Sequence, residues 1–190
     1  MAKTYILNKK DQALLLKLAR ETLENSFSDA EVDVSKAGHL TQLRGCFVTL
    51  HKDNQLRGCI GFPKPIMPLY EQIITASKAA AFEDPRFPQV NKNELKHIVI
   101  EISILTRPEL IKVKNSEEYL ENIEIGKDGL IIQGESSGLL LPQVATEYNF
   151  TSKQFLECVC EKADMNKDAW KDLKNKIYKF KAEIFSEDTE

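Results

Sequence analysis

Long apolar runs, paired cysteines and an excess of either charge are all missing from this chain of 190 residues. No apolar run approaches the ~18 residues needed to cross a bilayer, so no membrane partner is expected. The opening Met1–Asn8 has too short an apolar stretch for a signal peptide, and a cytoplasmic location is expected. A net charge of −3 gives no electrostatic reason to expect a nucleic-acid polyanion as main partner. The cysteines are Cys46, Cys59, Cys158 and Cys160, with no Cys-x-x-Cys pair, and the three histidines are scattered. Neither a metal site nor a disulfide framework is therefore expected. No cofactor is expected either, which leaves an unknown small molecule or protein as partner. Cys158 and Cys160 fall in a helical pattern, where residues two apart point to different faces, and they read as small buried hydrophobes.

What is present is an ordinary globular composition, 42% apolar and 29% charged, in a chain long enough for one sizeable domain over residues 1–190. Asn8 caps a helix expected over 9–26, with Leu14, Leu15, Leu18 and Leu23 along one side. Residues 43–51 and 55–61 read as a β-hairpin. A helix is expected from about 67–69 to 83–84, stopped by Pro85. His97–Leu105 is the clearest strand, with Ile98, Ile100, Ile102 and Ile104 on one face and His97, Val99, Glu101, Ser103 and Leu105 on the other. A short helix is expected at 116–122, strands near 123–125, 129–133 and 138–141, and a helix from Thr151 or Ser152 to Ala163. A further helix over 168–175 and one last strand through Tyr178, Phe180, Ala182 and Ile184 complete the reading. Hairpins dominate and no βαβ repeat occurs, so the class is α+β with mostly antiparallel pairing, the sheet flanked by helices.

The hairpin holds the one stretch that points to chemistry, Gln55-Leu56-Arg57-Gly58-Cys59-Ile60-Gly61. Glycine weakens a strand unless the backbone bends there or something approaches it closely. Gly58 and Gly61 thus leave the Cys59 sulfur little steric cover, and the nearby Arg57 would lower its pKa and hold an anion. A near copy, Gln42-Leu43-Arg44-Gly45-Cys46-Phe47, lies thirteen residues earlier. Binary pattern separates the two. Matching Cys46, Val48 and Leu50 to the apolar set Leu56, Gly58, Ile60 and Phe62 requires an odd number of loop residues at the turn. A three-residue loop, Lys52-Asp53-Asn54, supplies it, placing Cys59 opposite Phe47 and Arg57 opposite Thr49. Cys46 then faces the core, and only Cys59 is a site candidate.

Two further groups qualify. In Glu83-Asp84-Pro85-Arg86-Phe87-Pro88, Arg86 is placed to bind a carboxylate or phosphate with Asp84 orienting it, or the two form an ion pair clamping the loop. Glu101 interrupts an apolar strand, and burial of its face would suit it to general acid–base work, with His97 two strand repeats away on the same face. His39 and His51 read as loop and hairpin-edge residues.

The Gln55–Gly61 stretch resembles the LRGCIG signature of the AMMECR domain family, named for a human chromosomal-region candidate protein. The likeness extends through Phe47-Val48-Thr49-Leu50, Ala80–Phe87, Glu101–Leu105, Ile125-Gly126-Lys127-Asp128-Gly129-Leu130 and Leu139–Ala145. It departs at Cys46, where valine is expected, at Tyr148 and Phe150, in places often held by tryptophan, and at Asp164, often glycine. The resemblance implies an α+β fold with a larger lobe, about 1–111 and 166–190, and a smaller one, about 112–165. It implies no agreed activity. Two readings compete. One is an enzyme using the Cys59 thiolate, with Glu101 and His97, in transfer or hydrolysis of an anionic substrate held by Arg57, Gly58, Gly61, Asp84 and Arg86. The other is a non-catalytic binding or adaptor module whose groove takes a protein, peptide or ligand, within an RNA- or protein-modification system.

Overall fold

The computed structural model describes residues 7–28 and 30–187. It is α+β, with two antiparallel four-stranded sheets flanked by helices. Two compact units divide the described chain, one running to Leu105 and resuming at Glu183, the other spanning Thr106–Ala182. The second unit is therefore longer than the 112–165 expected for the smaller lobe.

In the first unit, α1 (Lys9–Asn25) starts where Asn8 accepts the Asp11 backbone N–H at 2.9 Å, and Leu15, Leu18 and Leu23 are buried. The strands β1 (Cys46–Lys52), β2 (Gln55–Phe62), β3 (Ile98–Leu105) and β8 (Ala182–Ser186) lie in the order β2-β1-β3-β8, with β2 at one edge. The helix α2 (Leu69–Phe82) packs on β1 and β2 and against α1. Between helices and sheet lie Val48, Leu50, Ile73, Ala76, Ile100, Ile102 and Ile104, all fully buried. The odd/even alternation expected of β1 and β3 thus does select the core face.

The hairpin keeps the expected parity by another device. Its loop has two residues, Asp53 (φ 52°) and Asn54 (φ 61°), both left-handed as a tight right-twisting hairpin turn requires. Lys52 pairs with Gln55 and His51 with Leu56, but Leu50 pairs with Gly58. Arg57 is the extra residue of a β-bulge, which supplies the odd offset. Cys59 consequently faces Thr49, and Phe47 faces Gly61.

In the second unit, β4 (Glu109–Leu110), β7 (Lys176–Phe180), β5 (Gly129–Gln133) and β6 (Ser137–Leu140) form the sheet in that order. With α3 (Glu118–Asn122), α4 (Pro142–Glu147) and α5 (Ser152–Lys162) it encloses Leu130, Ile132, Phe155, Val159, Trp170 and Ile177. Three expectations fail here. Residues 123–125 are not a strand: the Glu124 carbonyl takes the N–H groups of Lys127 and Asp128, and its own N–H goes to the Asp128 carboxylate. Residues 168–175 form only a 3-10 turn, Ala169–Lys171, because Asn166, Asp172 and Asn175 side chains bond nearby backbone instead. The last strand is two: β7 ends at Phe180 and Lys181 pairs by both backbone groups with Thr106, before β8 joins the other sheet. Alternation marks a strand's faces and is blind to which sheet it joins. The helix α4 carries no strong periodic signal in six residues and was not expected.

After α5 the Asp164 N–H bonds the Glu161 carbonyl and the Met165 N–H the Cys160 carbonyl, a Schellman ending with Asp164 at φ 55°. Glycine is at ease in that conformation and aspartate is strained. Asp164→Gly should therefore stabilise the protein by about 0.5–1 kcal/mol in chemical denaturation. A loss of stability would contradict this account. Among the described residues no helix is long and apolar enough to cross a membrane.

Candidate functional site

The face of the first sheet opposite its helices carries the odd-numbered residues of β1. Register places Thr49 between Cys59 on β2 and Glu101 on β3, a row of three side chains across three strands. The Thr49 hydroxyl donates to Cys59 Sγ at 3.2 Å. One step along lies the row Gly61, Phe47 and Ser103; the other way, His51 faces Leu56 and Val99. Cys59, Thr49 and Glu101 are all half-buried. Cys46 points into the core, where burial pushes its thiol up to about 12, so the second copy of the motif is inert.

The two signature glycines answer to packing. A Cβ on Gly58 would lie 2.1 Å from the Ala80 carbonyl oxygen of α2. One on Gly61 would lie 2.2 Å from the Cys46 carbonyl oxygen and 2.6 Å from Phe47 Cα. Their role is to admit neighbouring backbone, where access to the thiol was expected.

The arginines are likewise committed. The bulge carries Arg57 to Glu94, whose carboxylate receives Arg57 Nε at 3.3 Å, Nη2 at 3.1 Å and Lys52 Nζ at 2.9 Å. Arg57, foremost, and Lys52 hold the Glu94 carboxyl down at about 2. Arg86 grips Asp84 through Nε at 2.9 Å and Nη2 at 2.7 Å, and Asp84 is buried while half of Arg86 is open to solvent. This pair also serves the outer edge of β2. Asp84 Oδ2 accepts the Cys59 N–H at 2.9 Å, and Arg86 Nη2 donates to the Cys59 carbonyl at 3.2 Å. Two side chains thus stand in for the next strand, covering an edge otherwise open to pairing. The hydrogen bonds from Arg86 hold the Asp84 carboxyl far below its ordinary range.

These surroundings set the state of Cys59. Burial pushes its thiol up; the Thr49 hydroxyl and Arg86 pull it down, and Asp84 and Glu101 push it up again. The net direction is upward, the reverse of that expected from an adjacent guanidinium. Arg57 is taken by Glu94, and Arg86 arrives already paired with Asp84.

The structure therefore brings together Cys59, Asp84, Arg86 and Glu101, with Thr49 at the centre. His97 is not among them. It ends a 3-10 helix, Lys92–His97, and is exposed, so it does not share the strand face of Glu101. Sequence reasoning passed over Thr49 and Glu94. Thr49 follows from the register only once the bulge is known. Glu94 had a local signal, the Asn91-x-x-Glu94 capping box that starts the 3-10 helix. Glu101 receives no hydrogen bond or ion pair from any described residue. Arg57 Nη1 is buried and has no hydrogen-bond partner among the described residues. A buried donor left unmade costs about 1–3 kcal/mol. Among the described residues no three His, Cys, Asp or Glu side chains are placed to hold a metal ion.

A family model described as AMMECR1 matches residues 16–185. A protein of Methanocaldococcus jannaschii is 46% identical over 186 residues, covering 96% of this chain and 92% of its own length. One of Nanoarchaeum equitans is 44% identical over 178 residues, covering 92% and 99%. The crystal structure of an uncharacterized protein from Pyrococcus horikoshii matches with a TM-score of 0.86 at 42% identity, covering 96% of this chain and 94% of that one.

Proposed function

This chain belongs to the AMMECR1 family, and on that premise we propose that its first sheet is a binding module whose outer face, floored by Cys59, Thr49 and Glu101, receives a ligand without covalent chemistry. The observation that carries the reading is the state of the thiol. A nucleophilic cysteine sits in an electropositive, accessible setting that favours thiolate. Cys59 has burial and two carboxylates acting on it, and its nearby guanidinium is neutralised by Asp84. The glycines that suggested access are explained by the backbone they admit. In this reading Cys59 is a small neutral side chain in the floor of the site. The competing enzyme reading needs a thiolate, and the pull of Thr49 and Arg86 towards one is outweighed by burial and the two carboxylates.

Site-resolved alkylation tests this. In the native protein, the rate of iodoacetamide reaction at Cys59, followed by peptide mass mapping, should be slow at neutral pH and climb only at alkaline pH, beyond an ordinary thiol at about 8.5. A rate that levels off below about pH 7 would mean a stabilised thiolate and would end the binding-only reading.

A further inference from the structure

We propose that the helical side of the first unit holds a binding site for a small aliphatic α-amino acid, separate from the outer face of the sheet. A cavity of about 290 Å³ opens between the end of α1, residues 30–32 and α2. Small-ligand sites start at roughly 300 Å³, apolar in lining and with a few polar groups that orient the ligand, so this one suits a molecule of amino-acid size. Its apolar lining comes from Ala30, Val32 and Ile74, the last two half-buried and packed against the first core. The hydroxyls of Thr22 and Ser26 are spent on the Leu18 and Thr22 carbonyls, each at 2.7 Å, and Asn25 Nδ2 donates to the Glu31 carbonyl at 2.9 Å. Two side chains of opposite charge remain, Glu31 and Lys78. Neither has a hydrogen bond or ion pair with any described residue, and they do not pair with each other.

The two charges belong to different walls. Glu31 is tied to the end of α1 through Asn25, whereas Lys78 stands on α2, one turn on from Ile74. The helix α1 is 17 residues long and has no basic side chain in its last turn, so nothing on it offsets the negative end of its dipole. An ammonium group is therefore favoured on the α1 wall, beside Glu31, and a carboxylate on the α2 wall, beside Lys78. Between them Val32 and Ile74 call for an apolar body. An α-amino acid with a branched aliphatic side chain carries all three features on one carbon. An amine, a carboxylic acid or a hydrocarbon alone leaves part of the lining unanswered. Glu31 and Lys78 are exposed, where ion pairs are weak, so the side chain supplies most of the affinity and the charges select.

L-leucine, titrated into the isotope-labelled protein and followed by NMR, is the probe. Saturable shifts are expected at Asn25, Glu31, Val32, Ile74 and Lys78. Glycine, which lacks the apolar side chain, should bind at least tenfold more weakly. N-acetyl-leucine and leucine amide, each missing one charge, should bind severalfold more weakly than leucine. Glu31→Gln should erase the preference for a free amine and leave that for a free carboxylate; Lys78→Gln should do the converse. Both positions are exposed, so neither variant threatens the fold. Absence of saturable shifts, glycine binding as well as leucine, or variants indifferent to the missing charge would each overturn the proposal. Shifts confined to Thr49, Cys59 and Glu101 would also overturn it, by assigning the amino acid to the outer face of the sheet.

Discussion

Gly58→Ala should destabilise the protein by about 3 kcal/mol or more, the upper end for overpacking, because its new methyl has nowhere to go. The Cβ would stand 2.1 Å from the Ala80 carbonyl oxygen and 3.2 Å from its carbonyl carbon. Those are helix backbone atoms, and Ala80 lies in the middle of the hydrogen-bonded C-terminal turns of α2. Relief requires lifting α2 off β1 and β2, which opens the contact holding Ile73 and Ala76 against Val48 and Leu50. Gly38→Ala is the natural control. Its Cβ would meet only the Val34 carbonyl oxygen at 3.4 Å, an ordinary contact, and should be nearly neutral. Urea denaturation of both variants decides the matter. If Gly58→Ala cost less than about 1 kcal/mol, the close approach of α2 could not be why glycine stands in the signature.

Asp84→Asn should cost about 2 kcal/mol, and the loss should depend on pH. Removing one member of a fully buried ion pair costs about 3–5 kcal/mol; half of Arg86 is exposed, so water screens part of that here. Asp84 accepts four N–H donors, two at each oxygen, so the amide keeps an acceptor for one pair and turns a donor towards the other. Because Arg86 and the Cys59 N–H depress the folded carboxyl below its ordinary 3.8, the stabilisation it brings is complete above that value. It is lost as pH falls through the folded value. Glu94, lowered from 4.5 to about 2, acts with the same sign over pH 4.5 to about 2. Wild-type stability should therefore decline as pH drops from about 5 towards 2, and Asp84→Asn should decline less steeply, keeping only the Glu94 contribution. Parallel curves for the two proteins would show that Asp84 is not held ionised by its partners. The same variant bares the edge of β2 at Cys59, so increased self-association at high concentration is the accompanying sign.

Much of the site was legible because local rules govern it. The parity of the hairpin, the burial of Cys46 and the outer-face position of Cys59 follow from the alternation of Cys46, Val48 and Leu50 with Phe47 and Thr49, whatever the loop. The N-cap at Asn8, the capping box at Thr151 and the stop before Pro85 are written within four residues of where they act. The bulge was less legible. A two-residue loop with Arg57 left over and a three-residue loop satisfy the same pattern, and only the positive φ of both Asp53 and Asn54 separates them.

The sequence by itself determined the α+β class, the faces of the central strands and which of two similar cysteines lies in a candidate site. Each of these rests on periodicity, which a chain carries along its own length. The tertiary structure alone decided what that cysteine is. Arg57 is answered by Glu94, 37 residues on, and Cys59 by Asp84, 25 residues on. Electrostatic interaction depends on distance through space and on what else is paired nearby. An arginine two positions from a thiol therefore promised a lowered pKa, and the fold, by spending that arginine elsewhere, leaves burial to push the thiol up.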